Sequence, residues 1–298
     1  MHNYSIVAAY RNFQQRKKKT SKRLVLALVA IILLVAGARL AFFRGEPEPA
    51  SLAPAAPTGE EGKNEEDKKA PAKPALVNLQ PVVDTWLSKQ SGEYGIVVYD
   101  PANKQVIATH DADVQFFTAS IYKLYTVYLA LQDIEAGKHT LGESFKFGKT
   151  RQTCLHDAIH TSDSPCAEAL LNEIGQAQVT ARLKTFGFTG TSFPAFVTTA
   201  QDSVSIMQRL YEKRDLNQTS TNLMLEAMKT QVYRDGLPKG MPQATVATKV
   251  GFSETPHYHD VGIVTLPNGR NYLVAFFSKG VGSRVVADFG ATIYEALK

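Results

Sequence analysis

Residues 120–137 read SIYKLYTVYLALQDIEAG. From Ile121 to Ala136 the apolar residues Leu124, Val127, Leu129, Leu131 and Ile134 fall on nearly every side at helical spacing, and Gly137 stops the run, so the stretch predicts a helix buried all round. Thr118 stands where a side chain would cap its start. A helix with no wet face needs protein on every flank. The chain can supply it: 298 residues, 44% hydrophobic and 20% charged, make one sizeable core with appendages and exclude a wholly disordered or collagen-like protein. The Tyr122, Tyr125, Tyr128 stripe of this helix reads as core packing rather than a platform for stacked bases.

Working outward, the N-terminal flank predicts a short helix through Val82, Val83, Trp86 and Leu87. Strands at Tyr94 to Tyr99 and Gln105 to Thr109 follow, turning at Asp100-Pro101-Ala102-Asn103. On the C-terminal flank, helices are expected around Glu168 to Ile174, Thr199 to Tyr211 and Thr221 to Thr230. Strands return at Thr245 to Phe252, Asp260 to Leu266 and Tyr272 to Ser278, the last two joined through Asn268-Gly269. A final helix carries Val286, Phe289, Ile293 and Leu297 on one face. The expected fold class is therefore α+β, with an antiparallel sheet built from both ends of the domain, flanking helices and a helical insert.

Chemistry starts at the head of the buried helix. Ser120 and Lys123 are one turn apart and share a face, and the unpaired N–H groups of a first helical turn favour a serine poised to lose its proton. One such spacing arises by chance in a chain of this length, with a cap serine and a surface lysine as the plain alternative. The apolar wall around Lys123 sets this one apart, because burial makes a lysine easier to deprotonate. Downstream lie Thr161-Ser162-Asp163-Ser164, in a loop before a helix, and Lys249-Val250-Gly251, on a strand.

The three stretches, in this order, resemble the S-x-x-K, S-D-N and K-T-G motifs of class A β-lactamases and penicillin-binding proteins. Phe117-Thr118-Ala119, Ala167-Glu168-Ala169-Leu170-Leu171, Thr198-Thr199-Ala200 and Asp260-Val261-Gly262-Ile263-Val264 stand in supporting order, and the resemblance covers about residues 80–298. It implies Ser120 as acylated nucleophile, Lys123 as general base and Ser162 as proton relay to the leaving nitrogen. Lys249 becomes a fixed positive charge for the substrate carboxylate that also helps keep Lys123 neutral. The backbone N–H groups of Ser120 and Phe252 become an oxyanion hole, and Ser164, Val250 and Gly251 substrate-binding positions. Its implied partners are a β-lactam or a peptidoglycan stem peptide. The alternative on the same fold is a non-catalytic peptidoglycan-binding or penicillin-sensing domain.

Departures from the motifs carry chemical consequences. Ser164 replaces the Asn, and Val250 replaces the Thr, removing a hydroxyl from carboxylate recognition. Efficient class A enzymes release the acyl group with a loop glutamate. Here Gly187 to Thr198 is short, and no Asp or Glu occurs between Lys184 and Asp202. The acyl-enzyme is expected to persist unless another group activates water.

The remaining sequence concerns location. Residues 1–23 hold seven Lys and Arg and no acid, so the formal +5 becomes −2 downstream and gives no general affinity for nucleic acid. Leu24 to Ala38 is apolar, and the run resumes after Arg39 through Phe43, reaching a span of roughly 30 Å as a helix. The expected organisation is a cytoplasmic basic arm at 1–23, a membrane signal-anchor at 24–43, a linker at 44–77 holding six of the fourteen prolines, and a hydrolase domain at 78–298 outside the cell membrane. A cleaved signal peptide ending at Ala36-Gly37-Ala38 is the rival reading. Export favours a disulfide between Cys154 and Cys166, with two buried thiols as the alternative. His156 with His160, and His257 with His259, have metal-ligand spacing, yet there is no His-Glu-x-x-His. Packing is the preferred reading, and neither a metal nor a cofactor is called for. A monomer is expected.

Overall fold

The computed structural model of the protein describes residues 75–254 and 257–298. The expected basic arm, the anchor and nearly all of the linker lie outside the described residues. Among those that are described, no helix is long and apolar enough to cross a membrane.

Helix α1, Gln80–Leu87, leads into β1, Glu93–Asp100, and β2, Gln105–His110. At the other end of the chain lie β5, Thr245–Ser253, β6, His257–Thr265, and β7, Asn271–Lys279, followed by α9, Ser283–Leu297. The five strands form one sheet in the order β2-β1-β7-β6-β5. The seam between the two ends of the domain is the antiparallel pairing of β1 with β7, from Glu93 opposite Lys279 to Tyr99 opposite Leu273. The α+β architecture expected from the sequence is thus observed.

Strand periodicity sorts the side chains into two cores. Ile96, Val98, Val274 and Phe276 face Val83, Trp86, Val286, Phe289 and Ile293 of α1 and α9. Val97, Tyr99, Ala275 and Phe277 face the helical insert. At the centre of the insert is α2, Tyr122–Glu135, where Leu124, Tyr125, Val127, Tyr128, Leu129 and Leu131 are all fully buried. The tyrosines of the stripe are core residues: Tyr125 Oη bonds Thr198 Oγ1 at 2.7 Å, and Tyr128 Oη donates to Asp215 at 2.7 Å.

Around α2 pack α3, Arg151–His160, α4, Ser164–Ile174, α5, Gln176–Thr185, α6, Ala200–Tyr211, and α7, Gln218–Lys229. Leu237–Gly240 forms a short α8. Helices α3 and α5 are additions to the predicted set. Each buries little apolar surface, with Cys154, Leu155, Ala158 and Ile159 on α3 and Val179 and Leu183 on α5, so their periodicity is faint in a polar sequence. A two-stranded sheet, β3, Phe116–Phe117, with β4, Val197–Thr198, was also not foreseen.

Thr118 does not cap α2. A 3₁₀ turn, Ala119–Ile121, intervenes, and the Thr118 hydroxyl makes no capping bond. Its N–H instead donates to Phe196 O at 2.8 Å, tying the turn to the segment before β4.

Cys154 and Cys166 form a disulfide with Cα atoms 5.0 Å apart, linking α3 to α4 around the loop that carries Ser162. Replacing both by serine is expected to lower the free energy of unfolding by about 3 kcal/mol, the chain-entropy value for a loop of this length. Urea titration of oxidised protein and double variant measures it, and equal midpoints would leave the bridge without that role.

Candidate active site

The nucleophile candidate sits in the 3₁₀ turn between β3 and α2. Its neighbour Ala119 has φ +44°, and Ser162 has φ +57°; both are in the left-handed region that residues with a Cβ seldom occupy. Such backbone persists only where surrounding contacts hold it. At Ser162 the result is visible: its carbonyl oxygen and its hydroxyl both face Lys123, with Nζ donating to the carbonyl at 2.6 Å and to Oγ at 3.0 Å. Asp163 then caps α4 by accepting the Cys166 N–H at 2.8 Å, and it pairs with Lys149 at 2.9 Å.

Ser164 is turned on Lys123 as well, with Nζ donating to its Oγ at 3.0 Å. The hydroxyl that replaces the motif's Asn therefore still holds the lysine. Lys123 is fully buried, and burial lowers its pKa to about 8 although Asp163 and Glu168 hold it up. Deprotonated, such an amine can take a proton from a neighbouring hydroxyl at ordinary pH.

Lys249 enters from β5, also fully buried, and its Nζ donates to the same Ser162 Oγ at 3.0 Å and to Val250 O at 2.8 Å. A hydroxyl oxygen accepting from two amines has its lone pairs occupied, so its own proton is free to point elsewhere. The sequence leads one to expect a fixed positive charge on Lys249, and its surroundings oppose that charge. Burial, and then Lys123, push its pKa well below the usual lysine range, while Asp260 opposes them. The lowering of Lys123 comes in turn from burial more than from any neighbouring cation.

Gly251 brings the third motif to the first. A Cβ there would lie 3.0 Å from Ser120 N, 3.0 Å from Ile121 Cγ1 and 3.0 Å from Thr118 O, so β5 runs directly against the nucleophile turn. Phe252, the next residue, is 48% exposed, with its ring 5.3 Å from Tyr233 and 6.0 Å from Tyr258 between centroids. Val250 has no exposed surface. Its N–H donates to Gln231 Oε1 at 3.2 Å, and Gln231 Nε2 donates to Thr248 O.

Several supporting residues have no sequence signal of this kind. Gln231 is one. Asp260, quoted above only as part of a strand, is fully buried and accepts the Leu237 N–H at 2.8 Å and the Thr248 hydroxyl; burial pushes its pKa up to about 6. His259 is buried under the nucleophile turn. Its Nδ1 accepts the Ser278 N–H at 3.2 Å, so Nε2 carries the hydrogen and donates to Phe117 O at 2.8 Å. Burial lowers its pKa to about 3, so Nδ1 stays unprotonated and able to accept the Ser278 N–H. The rings of His156 and His160 lie with centroids 4.8 Å apart, tilted by 31°, and no cluster of three or more metal-ligating side chains occurs among the described residues.

A family model described as the beta-lactamase enzyme family matches residues 78–297. The chain belongs to this family. Similarity to the extended-spectrum beta-lactamase PER-1 of Pseudomonas aeruginosa extends over 267 residues at 21% identity, covering 73% of this chain and 86% of that protein. Among solved structures, PBP-A superimposes with a TM-score of 0.68 at 21% identity, over 76% of this chain and 98% of PBP-A. A beta-lactamase from Chitinophaga pinensis does so with 0.66 at 19% identity, over 73% and 98% respectively. These likenesses agree with the sheet and helical insert of a class A beta-lactamase or penicillin-binding fold, and the beta-lactamase family is one of serine hydrolases.

Proposed function

We propose that the protein is a membrane-anchored, extracytoplasmic acyl-serine hydrolase that opens β-lactam or D-alanyl peptide amide bonds through an acyl-enzyme on Ser120. The observation that carries this is the convergence of Lys123 and Lys249 on one hydroxyl, Ser162 Oγ, each at 3.0 Å, beside the turn that holds Ser120. In this mechanism neutral Lys123 takes the Ser120 proton as Oγ attacks the carbonyl. The N–H groups of Ser120 and Phe252 hold the developing oxyanion. Ser162 passes its proton to the leaving nitrogen and is reprotonated from the lysine side. A substrate carboxylate arriving at Lys249 favours the charged amine that burial disfavours.

The Cys154–Cys166 disulfide supports an oxidising compartment and hence the external location. The apolar segment 24–43 behind a basic arm supports the anchor. Deacylation is proposed to be slow, since no carboxylate lies between Lys184 and Asp202.

The test is incubation of the full chain with a fluorescent penicillin and with a D-alanyl-D-alanine peptide, following adduct and product together. The expected result is a covalent adduct that forms quickly and decays over many minutes. Binding of peptidoglycan without any adduct, in folded protein, would select a non-catalytic wall-binding domain instead.

A further inference from the structure

An ester on Ser120 can be hydrolysed only if some group takes a proton from water as the water adds to the carbonyl. The segment 187–198 offers no acid for this. It presents Phe193 and Phe196 edge-on to the Tyr122 ring instead, at centroid distances of 6.5 and 5.6 Å. The chain does bring a carboxylate near Tyr122 and Lys123, from α4. Glu168 lies four residues after Ser164 on α4, on one helical face with it, and Ser164 Oγ is the group held by Lys123 at 3.0 Å. Its Oε1 is shut off from solvent. Beside it in charge terms is Tyr122, whose residue is only 2% exposed and whose hydroxyl has no hydrogen-bond partner among the described residues.

Two carboxylates act on Lys123, and the other is Asp163. Asp163 is turned toward the start of α4 and Lys149. Glu168 is also the stronger of the two at Tyr122, where its negative charge adds to burial in raising the phenol pKa. A carboxylate with one oxygen shut off from solvent and a buried hydroxyl, both near the general base, are suited to hold one water between them.

We propose that Glu168, with Tyr122 orienting the water, is the general base for hydrolysis of the Ser120 acyl-enzyme; this rests on the hydrolase function above. Glu168 accepts one water proton as the oxygen bonds to the acyl carbon. The tetrahedral adduct then collapses with cleavage of the bond from carbon to Ser120 Oγ. Lys123, neutral again once its proton has passed through Ser162 to the leaving nitrogen, relays the proton from Glu168 to Oγ. The sum is ester plus water giving carboxylic acid plus free serine.

Single-turnover mass spectrometry of the full chain with a penicillin tests it, comparing the unsubstituted protein with Glu168→Gln, Glu168→Asp and Tyr122→Phe. Adduct formation is expected in all four. Its decay is expected to slow about 100-fold or more in Glu168→Gln, to recover partly in Glu168→Asp and to slow about tenfold in Tyr122→Phe. Decay in the unsubstituted protein should also fall as acid protonates a carboxylate, a limb that Glu168→Gln lacks. Unchanged decay in Glu168→Gln overturns the role, as does equal slowing of formation and decay, which marks a counter-charge for Lys123. If Glu168→Gln fails to fold, unchanged decay in Tyr122→Phe overturns it. No adduct in the unsubstituted protein brings down the hydrolase function and this role with it; an adduct with unaltered decay in the variants brings down this role alone.

Discussion

Lys123→Met is expected to lower the rate of Ser120 acylation by about 1,000-fold while leaving the protein at least as stable as it is now. The two effects share one cause. Lys123 is fully buried and its pKa falls from 10.5 to about 8. Folding therefore works against protonation of this amine, at a cost of about 3 kcal/mol at neutral pH. The folded pKa lies below the unfolded one, so the penalty is complete below pH about 8 and is relieved as the pH rises to 10.5. Methionine fills similar space without the charge, at the expense of the Ser162 and Ser164 bonds. The variant should gain most below pH 8 and nothing near pH 10.5, as read by urea unfolding at several pH values. The same titration governs the chemistry: acylation by the unsubstituted protein should rise with pH through about 8, because only the neutral amine accepts the serine proton. A variant less stable at pH 7, or a rate that falls between pH 7 and 9, would contradict the assignment.

Lys249→Met should cost about 100-fold in acylation by substrates that carry a carboxylate and less than tenfold with an activated ester that lacks one. Lys249 is held off its usual pKa by burial and by Lys123, so its charge is worth most once a carboxylate arrives. The loss is expected in KM more than in kcat. Thermal melting should rise by several degrees, since removing a desolvated amine relieves an unfavourable term and each kcal/mol is worth about 2–4 °C in a domain of this size. Equal loss with both substrates would show that Lys249 acts through Ser162 alone.

The legible parts of the molecule were those written in strong periodicity or in a fixed spacing. The run after Ser120 is apolar on every side, and α2 is buried on every side. Short apolar runs set off by turn residues located β1, β5, β6 and β7, and two separate blocks of strand were enough to close one sheet from both ends. The Ser120, Lys123, Ser162 and Lys249 constellation was legible because each lies in a short motif. Less legible were α3 and α5, whose few buried residues leave a polar sequence, and the turn at Thr118, where the fold chose a strand pair over a cap. What escaped entirely is support by long-range hydrogen bonds. Gln231 against β5, His259 under Phe117 and Asp260 beneath Leu237 are ordinary polar residues in the sequence, and only their partners far along the chain give them a role. Ser164 illustrates the same limit, since its closeness to Lys123 depends on the left-handed backbone at Ser162.

The central claim is that Ser120 is the acylated atom of a site completed by Lys123, Ser162 and Lys249. Peptide mapping after exposure to an isotopically labelled penicillin measures it directly. The expected result is one penicilloyl group, found on the peptide that contains Ser120 and lost in Ser120→Ala. Label on any other residue, or equal labelling of Ser120→Ala, would contradict it.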